Sequence, residues 1–136
     1  MPWWWSRAHE ECRALRDDAY PDGPPTGRAV ATTAGRLPAG WVIHTVGPVY
    51  TTAEDRSDLL ASCHRESLRV ADELGATTVA FPAISTGVYG WPMHDAARIA
   101  IAALRATPTA VTEVRFVLFD TEALHAFERA HAAGLG

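Results

Sequence analysis

"TTVAFPAISTGVYGWP", residues 77–92, decides how this chain folds. It opens on "TTVAFP", a short apolar run of the kind that forms a strand buried on both faces of a parallel sheet. It closes on Pro92, whose fixed φ suits the first residue of a helix. Between them Gly87 and Gly90 stand three apart in a loop. The stretch therefore predicts strand, loop and helix in immediate succession.

Working outward, Ala96, Ala97, Ile99, Ala100, Ala103 and Leu104 continue the helix at helical spacing to about Ala106. "EVRFVLF", residues 113–119, reads as a last strand, and "TEALHAFERAHAA", residues 121–133, as a last helix with Thr121 as N-cap. Upstream, Leu59, Leu60, Cys63, Leu68, Val70, Ala71 and Leu74 mark the longest helix, from Arg56 to Leu74, with Gly75 as its C-cap. "RAVATTA" (28–34) and "WVIHTV" (41–46) read as strands, separated by the turn "GRLPAG". "SRAHEECRALRDD" (6–18) reads as a helix of about three turns capped by Ser6, and the proline- and glycine-rich "AYPDGPPTG" ends it. Strand and helix alternate through the second half. That pattern predicts βα units, a largely parallel sheet and a three-layer α/β architecture.

The composition limits the function. At 136 residues and 48% hydrophobic, the chain holds one domain with its own core. A net charge of -4 gives no general pull toward nucleic acid or an anionic membrane, so a bound anion must be held locally. All 12 basic residues are arginine, which removes Schiff-base and P-loop lysine chemistry. Cys12 and Cys63 form no CxxC pair, and both fall in helical patterns as free thiols of a reducing compartment. His9, His44, His64, His94, His125 and His131 show no zinc-ligand spacing, so no metal and no cofactor is expected. No run reaches the ~18 apolar residues of a membrane span and no signal peptide opens the chain, so a cytoplasmic protein without membrane contact is expected.

The loop after "TTVAFP" is where an open α/β sheet binds ligands, beyond a strand's carboxyl end and before a helix N-terminus. Gly87 and Gly90 lack Cβ, which allows positive φ and close approach of a phosphate. Ser85 and Thr86 add hydroxyls; Val88 and Tyr89 offer apolar surface to a sugar or ring. This is the chemistry of a diphosphate site. The same glycine spacing also suits a plain βα turn, and the pattern is not the G-x-G-x-x-G of a Rossmann fold.

"VAFPAISTGVYGWP" closely resembles the second ligand-binding loop of macro domains, the ADP-ribose-binding modules, above all those of the MacroD and O-acetyl-ADP-ribose deacetylase type. "PTGRAVATTAGRLPAGWVIHTVGPVY" resembles the family's paired strands, and "VRFVLFDTEALHAFERA" its last strand and helix. The resemblance runs from about Ala8 to Ala130, and residues 1–136 read as a single, partial macro domain. It implies that Ser85, Thr86, Gly87, Val88 and Tyr89 cradle the diphosphate and distal ribose, with Ile84 and Gly90 shaping the walls. It places Phe119 near adenine with Asp120 beside it. Phe119 also reads as a core aromatic closing its strand. His44, within "IHTVGP", reads as a hydrogen-bonded core residue, and Trp41 and Tyr50 as packing or rim residues.

Family members open with a first strand carrying an adenine-contacting aspartate, a central strand ending in Asn-Ala-Ala-Asn, and a glycine-rich first loop with the catalytic aspartate. This sequence shows no counterpart, so N-terminal truncation is expected and the catalytic residues stay unassigned. The resemblance puts the central strand between "TTVAFP" and "WVIHTV". Without it these strands close on each other, or another chain supplies a strand, or the gene product starts upstream of Met1; the last is expected. The family activity is hydrolysis of ADP-ribosyl or O-acetyl-ADP-ribose esters. The residues present equally suit a reader that binds ADP-ribose without turnover, or a fragment that has lost function. The partner implied is ADP-ribose or a mono-ADP-ribosylated protein. Trp3, Trp4 and Trp5 cannot all face one core, and self-association through them is expected.

Overall fold

The computed structural model describes residues 24–35 and 37–133. The expected helix over residues 6–18, with Cys12, and the tryptophans Trp3, Trp4 and Trp5 lie outside the described residues.

The β-branched "AVATT" and "WVIHT" form β1 (Ala29–Thr33) and β2 (Trp41–Thr45). They pair antiparallel, from Ala29 opposite Thr45 to Thr33 opposite Trp41. Beyond the ladder, the Gly27 amide donates to the Val46 carbonyl at 2.9 Å and the Thr45 hydroxyl donates to the Arg28 carbonyl at 2.7 Å.

Helix α1 (Ser57–Leu74) follows, and Gly75 ends it with φ 73°, as the sequence predicts. Its buried face is Leu60, Cys63, His64, Ser67, Leu68, Val70 and Ala71, so two polar residues interrupt an otherwise apolar stripe. Both bond within the helix: Ser67 Oγ donates to the Cys63 carbonyl at 2.6 Å, and His64 Nδ1 lies 3.0 Å from the Leu60 carbonyl. Cys63 is a buried free thiol donating to the Val46 carbonyl at 3.3 Å, and burial pushes its pKa up. A raised pKa suppresses the thiolate, which removes Cys63 as a nucleophile.

Strand β3 (Thr78–Phe81) and β4 (Glu113–Phe116) pair in parallel, from Thr78 opposite Glu113 to Phe81 opposite Phe116. A parallel pair needs a crossover, which α2 (Met93–Ala106) provides. The alanines Ala97 and Ala100 of α2 let α3 (Thr121–Ala133) approach closely, so that Ala126 and Phe127 pack on them. His64, Phe81, Phe116 and Phe127 form a line of ring contacts at 5.3, 6.0 and 4.5 Å that ties α1, β3, β4 and α3 together. No helix among the described residues is long and apolar enough to cross a membrane.

The chain thus has the expected α/β fold with mixed strand pairing, but five details differ. Among the described residues the strands form two two-stranded sheets, β1–β2 and β3–β4. Accordingly β3 is not buried on both faces: Thr78 and Ala80 are exposed, because its other edge has no strand among the described residues. β4 stops at Phe116, because Val117 makes the last backbone bond of the ladder, to the Phe81 carbonyl. At the helix starts, Pro92 stands at the N-cap of α2 instead of its first helical position. Asp120, not Thr121, caps α3, its Oδ1 accepting from the Ala123 amide at 2.9 Å. Aspartate wins there because a carboxylate accepts more strongly than a hydroxyl and favours the positive helix end.

Candidate functional site

The loop from β3 to α2 is held at both ends and bare in the middle. Next to β3, a turn is closed by the Thr86 amide and by its hydroxyl, which donates to the Ala83 carbonyl at 2.8 Å. Next to α2, the Gly90 amide donates to the Gly87 carbonyl and the Trp91 amide to the Ser85 carbonyl. Gly90 takes φ 74°, where a side chain would be strained, so a glycine is required there. Gly87 does not take positive φ; Ser85 does, at 66°. The strain expected of a glycine thus sits on a serine, and such strain persists only where the surroundings enforce it.

Those surroundings are Gly47 and Trp91. Gly47 follows β2 and presses against the loop: a Cβ there would come within 2.8 Å of Ile84 Cγ2 and closer still to Ser85 Oγ. Trp91 is buried against Leu60, Ala96 and Ile99. Its indole N–H donates to Asp95 Oδ2 at 2.9 Å, and Tyr50 meets it edge-on at 5.3 Å. The Tyr50 amide also donates to the Tyr89 carbonyl at 2.9 Å. The segment after β2 is thereby fastened to the loop after β3.

Between these anchors the amides of Gly87, Val88 and Tyr89 find no partner among the described residues. Val88 is fully exposed, and a Cβ on Gly87 would meet nothing. Ser85 Oγ is buried without a hydrogen-bond partner. Thr86 differs from expectation, because its hydroxyl is committed to its own turn. The loop thus offers consecutive N–H donors and uncovered backbone, the surface that receives an anion.

The charge on this surface comes from backbone dipoles. Asp95, in the first turn of α2, is paired with Arg98 at 2.7 Å. Burial pushes its carboxyl up, but the Arg98 and Trp91 hydrogen bonds outweigh that and hold its pKa below the usual value. Asp95 is therefore an anion anchoring Trp91, and no proton donor. A cleft of about 1030 Å³ runs from Gly47, Ile84, Ser85 and Tyr89 back between β2 and β3. Among the described residues lining it, none is Arg, Asp or Glu, and the titratable side chains are His44 and Tyr89. His44 Nε2 lies 3.0 Å from Thr32 Oγ1, which fits a hydrogen-bonded strand residue.

Residues 84–90 therefore come together as one surface. Phe119 and Asp120 stand apart, in the loop after β4; since β3 and β4 are parallel neighbours, both loops leave the same sheet end. Phe119 is 100% exposed, which removes the core reading and leaves its ring free to stack. Asp120 is committed to capping α3. Sequence reasoning missed Gly47, Trp91 and His64. Trp91 and Asp95 are four residues apart, a spacing that could have revealed the anchor, whereas nothing local marks Gly47 or His64.

The family model that matches this chain is that of the Macro domain, over residues 6–100. A macro domain-containing protein of Streptomyces nogalater is 74% identical over 119 residues, covering 88% of this chain and 66% of its own length. One of Streptomyces coelicolor is 69% identical, covering 93% of this chain and 72% of its own length. Among solved structures, the Oceanobacillus iheyensis macrodomain with ADP superposes with a TM-score of 0.86 at 30% identity, covering 93% of this chain and 68% of that one. The Trypanosoma brucei macrodomain in complex with ADP-ribose gives 0.73 at 34% identity, covering 88% of this chain and 51% of that one.

Proposed function

We propose that this chain, which belongs to the macro domain family, binds ADP-ribose through the loop of residues 84–90. The observation that carries the reading is the run of amides at Gly87, Val88 and Tyr89 that find no partner among the described residues, beside the buried, unpartnered Ser85 hydroxyl. A diphosphate presents acceptors in series, and consecutive backbone donors match them without needing a cation. Ile84 and Gly90 shape the walls, and Tyr89 offers half-exposed apolar surface to the distal ribose. Phe119 supplies a free ring for adenine, an interaction worth ~1–3 kcal/mol for stacked bases. Relatives solved with ADP and with ADP-ribose support the ligand class.

Within residues 24–133 we favour binding over turnover. Hydrolysis of an ADP-ribosyl or O-acetyl-ADP-ribose ester needs a group that takes a proton from water within reach of the ester. The described cleft lining provides His44, already hydrogen-bonded, and no carboxylate. The natural partner on this reading is a mono-ADP-ribosylated protein.

Titration calorimetry with ADP-ribose tests the proposal. Saturable one-to-one binding that ADP competes away is expected, and absence of heat at millimolar ligand would overturn it. Incubation with a mono-ADP-ribosylated protein should release no ADP-ribose above the blank; release would restore the hydrolase reading.

A further inference from the structure

The three amides at the middle of the loop are bracketed by two carbonyls, and both carbonyls are held from outside the loop's bare middle. The Ser85 carbonyl accepts from the Trp91 amide at 2.9 Å, and the Tyr89 carbonyl accepts from the Tyr50 amide at 2.9 Å. Each donor belongs to an aromatic residue, and the two rings meet edge-on at 5.3 Å. Gly87, Val88 and Tyr89 carry their N–H groups between these two fixed points, so the direction of those groups follows the Tyr50–Trp91 joint.

Each half of the joint is in turn held by one charged side chain. Asp95 Oδ2 accepts from the Trp91 indole N–H at 2.9 Å, while its Oδ1 pairs with Arg98 at 2.7 Å. On the other side, Arg56 Nη1 donates to the Val49 carbonyl at 3.0 Å, and its Nε pairs with Glu54. Arg56 stands at the N-cap of α1 without making a side-chain cap bond, so its guanidinium serves the Val49–Tyr50 segment and not the helix end. The ionic partners Arg98 and Glu54 are open to water, at 66% and 61% exposure. Ion pairs in such a setting add little stability. A charge-assisted bond to a fixed group is nevertheless short and directional. The two charges therefore decide where the joint lies more than how stable the domain is.

On the reading of residues 84–90 as the diphosphate site, we propose that Arg56 and Asp95 are positioning residues for ADP-ribose, acting through the Tyr50–Trp91 joint on the direction of the loop amides. Neither side chain lines the cleft, so both act through the loop and not on the ligand.

In calorimetry, Arg56→Ala and Asp95→Ala should each weaken ADP-ribose about fivefold and leave the melting temperature nearly unchanged. Because both act on one joint, the double variant should lose no more than about tenfold, short of the ~25-fold of independent sites. Asp95→Asn keeps an oxygen for the indole while the exposed Arg98 turns to solvent, and affinity should return to within about twofold of wild type. Arg69→Ala, which removes an ion-paired arginine elsewhere on α1, should change nothing. In ligand-free ¹⁵N–¹H spectra the Gly87, Val88 and Tyr89 resonances should move in both alanine variants and return toward wild type in Asp95→Asn. Full affinity in either alanine variant, a ~25-fold loss in the double variant, or equal loss in Asp95→Asn and Asp95→Ala would overturn the proposal. Loop resonances that stay in place would overturn it as well. Moved resonances in a chain that binds no ADP-ribose would refute the diphosphate reading while supporting the positioning of the loop, so the two failures are told apart.

Discussion

β2 and β3 meet in two ways within one cleft. At its end, the segments leaving the two strands are joined by the Tyr50–Tyr89 backbone bond, the Tyr50–Trp91 ring contact and the approach of Gly47 to Ile84 and Ser85. Along their length, the strands share a slot and no ladder among the described residues. The difference shows that the loop of residues 84–90 owes its shape to side-chain and loop anchors more than to a continuous sheet. A loop held this way keeps its form beside strands that share no ladder among the described residues.

The largest test of that comparison removes the anchor. Trp91→Ala empties a buried site and should cost ~3–5 kcal/mol of stability in denaturant titration. ADP-ribose binding should fall with it, and a destabilised variant that bound normally would show that the loop does not depend on this joint. Gly87→Glu acts on the bare middle. It places a carboxylate where the diphosphate is proposed to lie, and should weaken ADP-ribose at least 100-fold, about 2.7 kcal/mol. Its melting temperature should hold, since a side chain there meets open space.

Gly47→Ala tests the close approach between the segments. Its Cβ would press on Ile84 and Ser85, and overpacking of this kind costs ~1–3 kcal/mol. A lower melting temperature and weaker binding should appear together; normal values of both would remove Gly47 from the account. Phe119→Ala should lower ADP-ribose affinity by ~1–2 kcal/mol and leave stability alone, because the ring is exposed. Loss of stability without loss of affinity would return Phe119 to a packing role.

The smallest effect concerns pH. Burial lowers the His64 pKa from 6.5, so the unfolded chain binds the proton more tightly than the folded one. Stability is then fully present above pH 6.5 and falls as pH drops through 6.5 toward the folded value, so the chain is less stable at pH 5.5 than at pH 7. Denaturant midpoints at those pH values should differ in wild type and converge in His64→Gln. Equal midpoints in wild type would mean that the ring is hydrated.

The sequence was most legible where the physics is local. The spacing of Leu60, Cys63, Leu68 and Ala71 with Gly75 behind them predicted α1, and the β-branched run at residues 41–45 predicted β2. The loop of residues 84–90 was read as a unit because strand, glycines and helix follow one another within sixteen residues, 77–92. What escaped depends on distant partners. The exposure of Thr78 and Ala80 goes with an edge of β3 that has no strand beside it among the described residues, which composition cannot report. Gly47 matters only because Ser85, far along the chain, folds against it. The hydroxyl of Thr86 reads from sequence as a ligand donor, whereas the fold commits it to the Ala83 carbonyl.

The central claim is that three backbone amides hold the diphosphate, and the amides themselves can be watched. In ¹⁵N–¹H spectra titrated with ADP-ribose, the resonances of Gly87, Val88 and Tyr89 should move most, saturate together and return when ADP competes. If ADP-ribose binds while those three stay in place and others shift, the diphosphate lies elsewhere and the account is wrong.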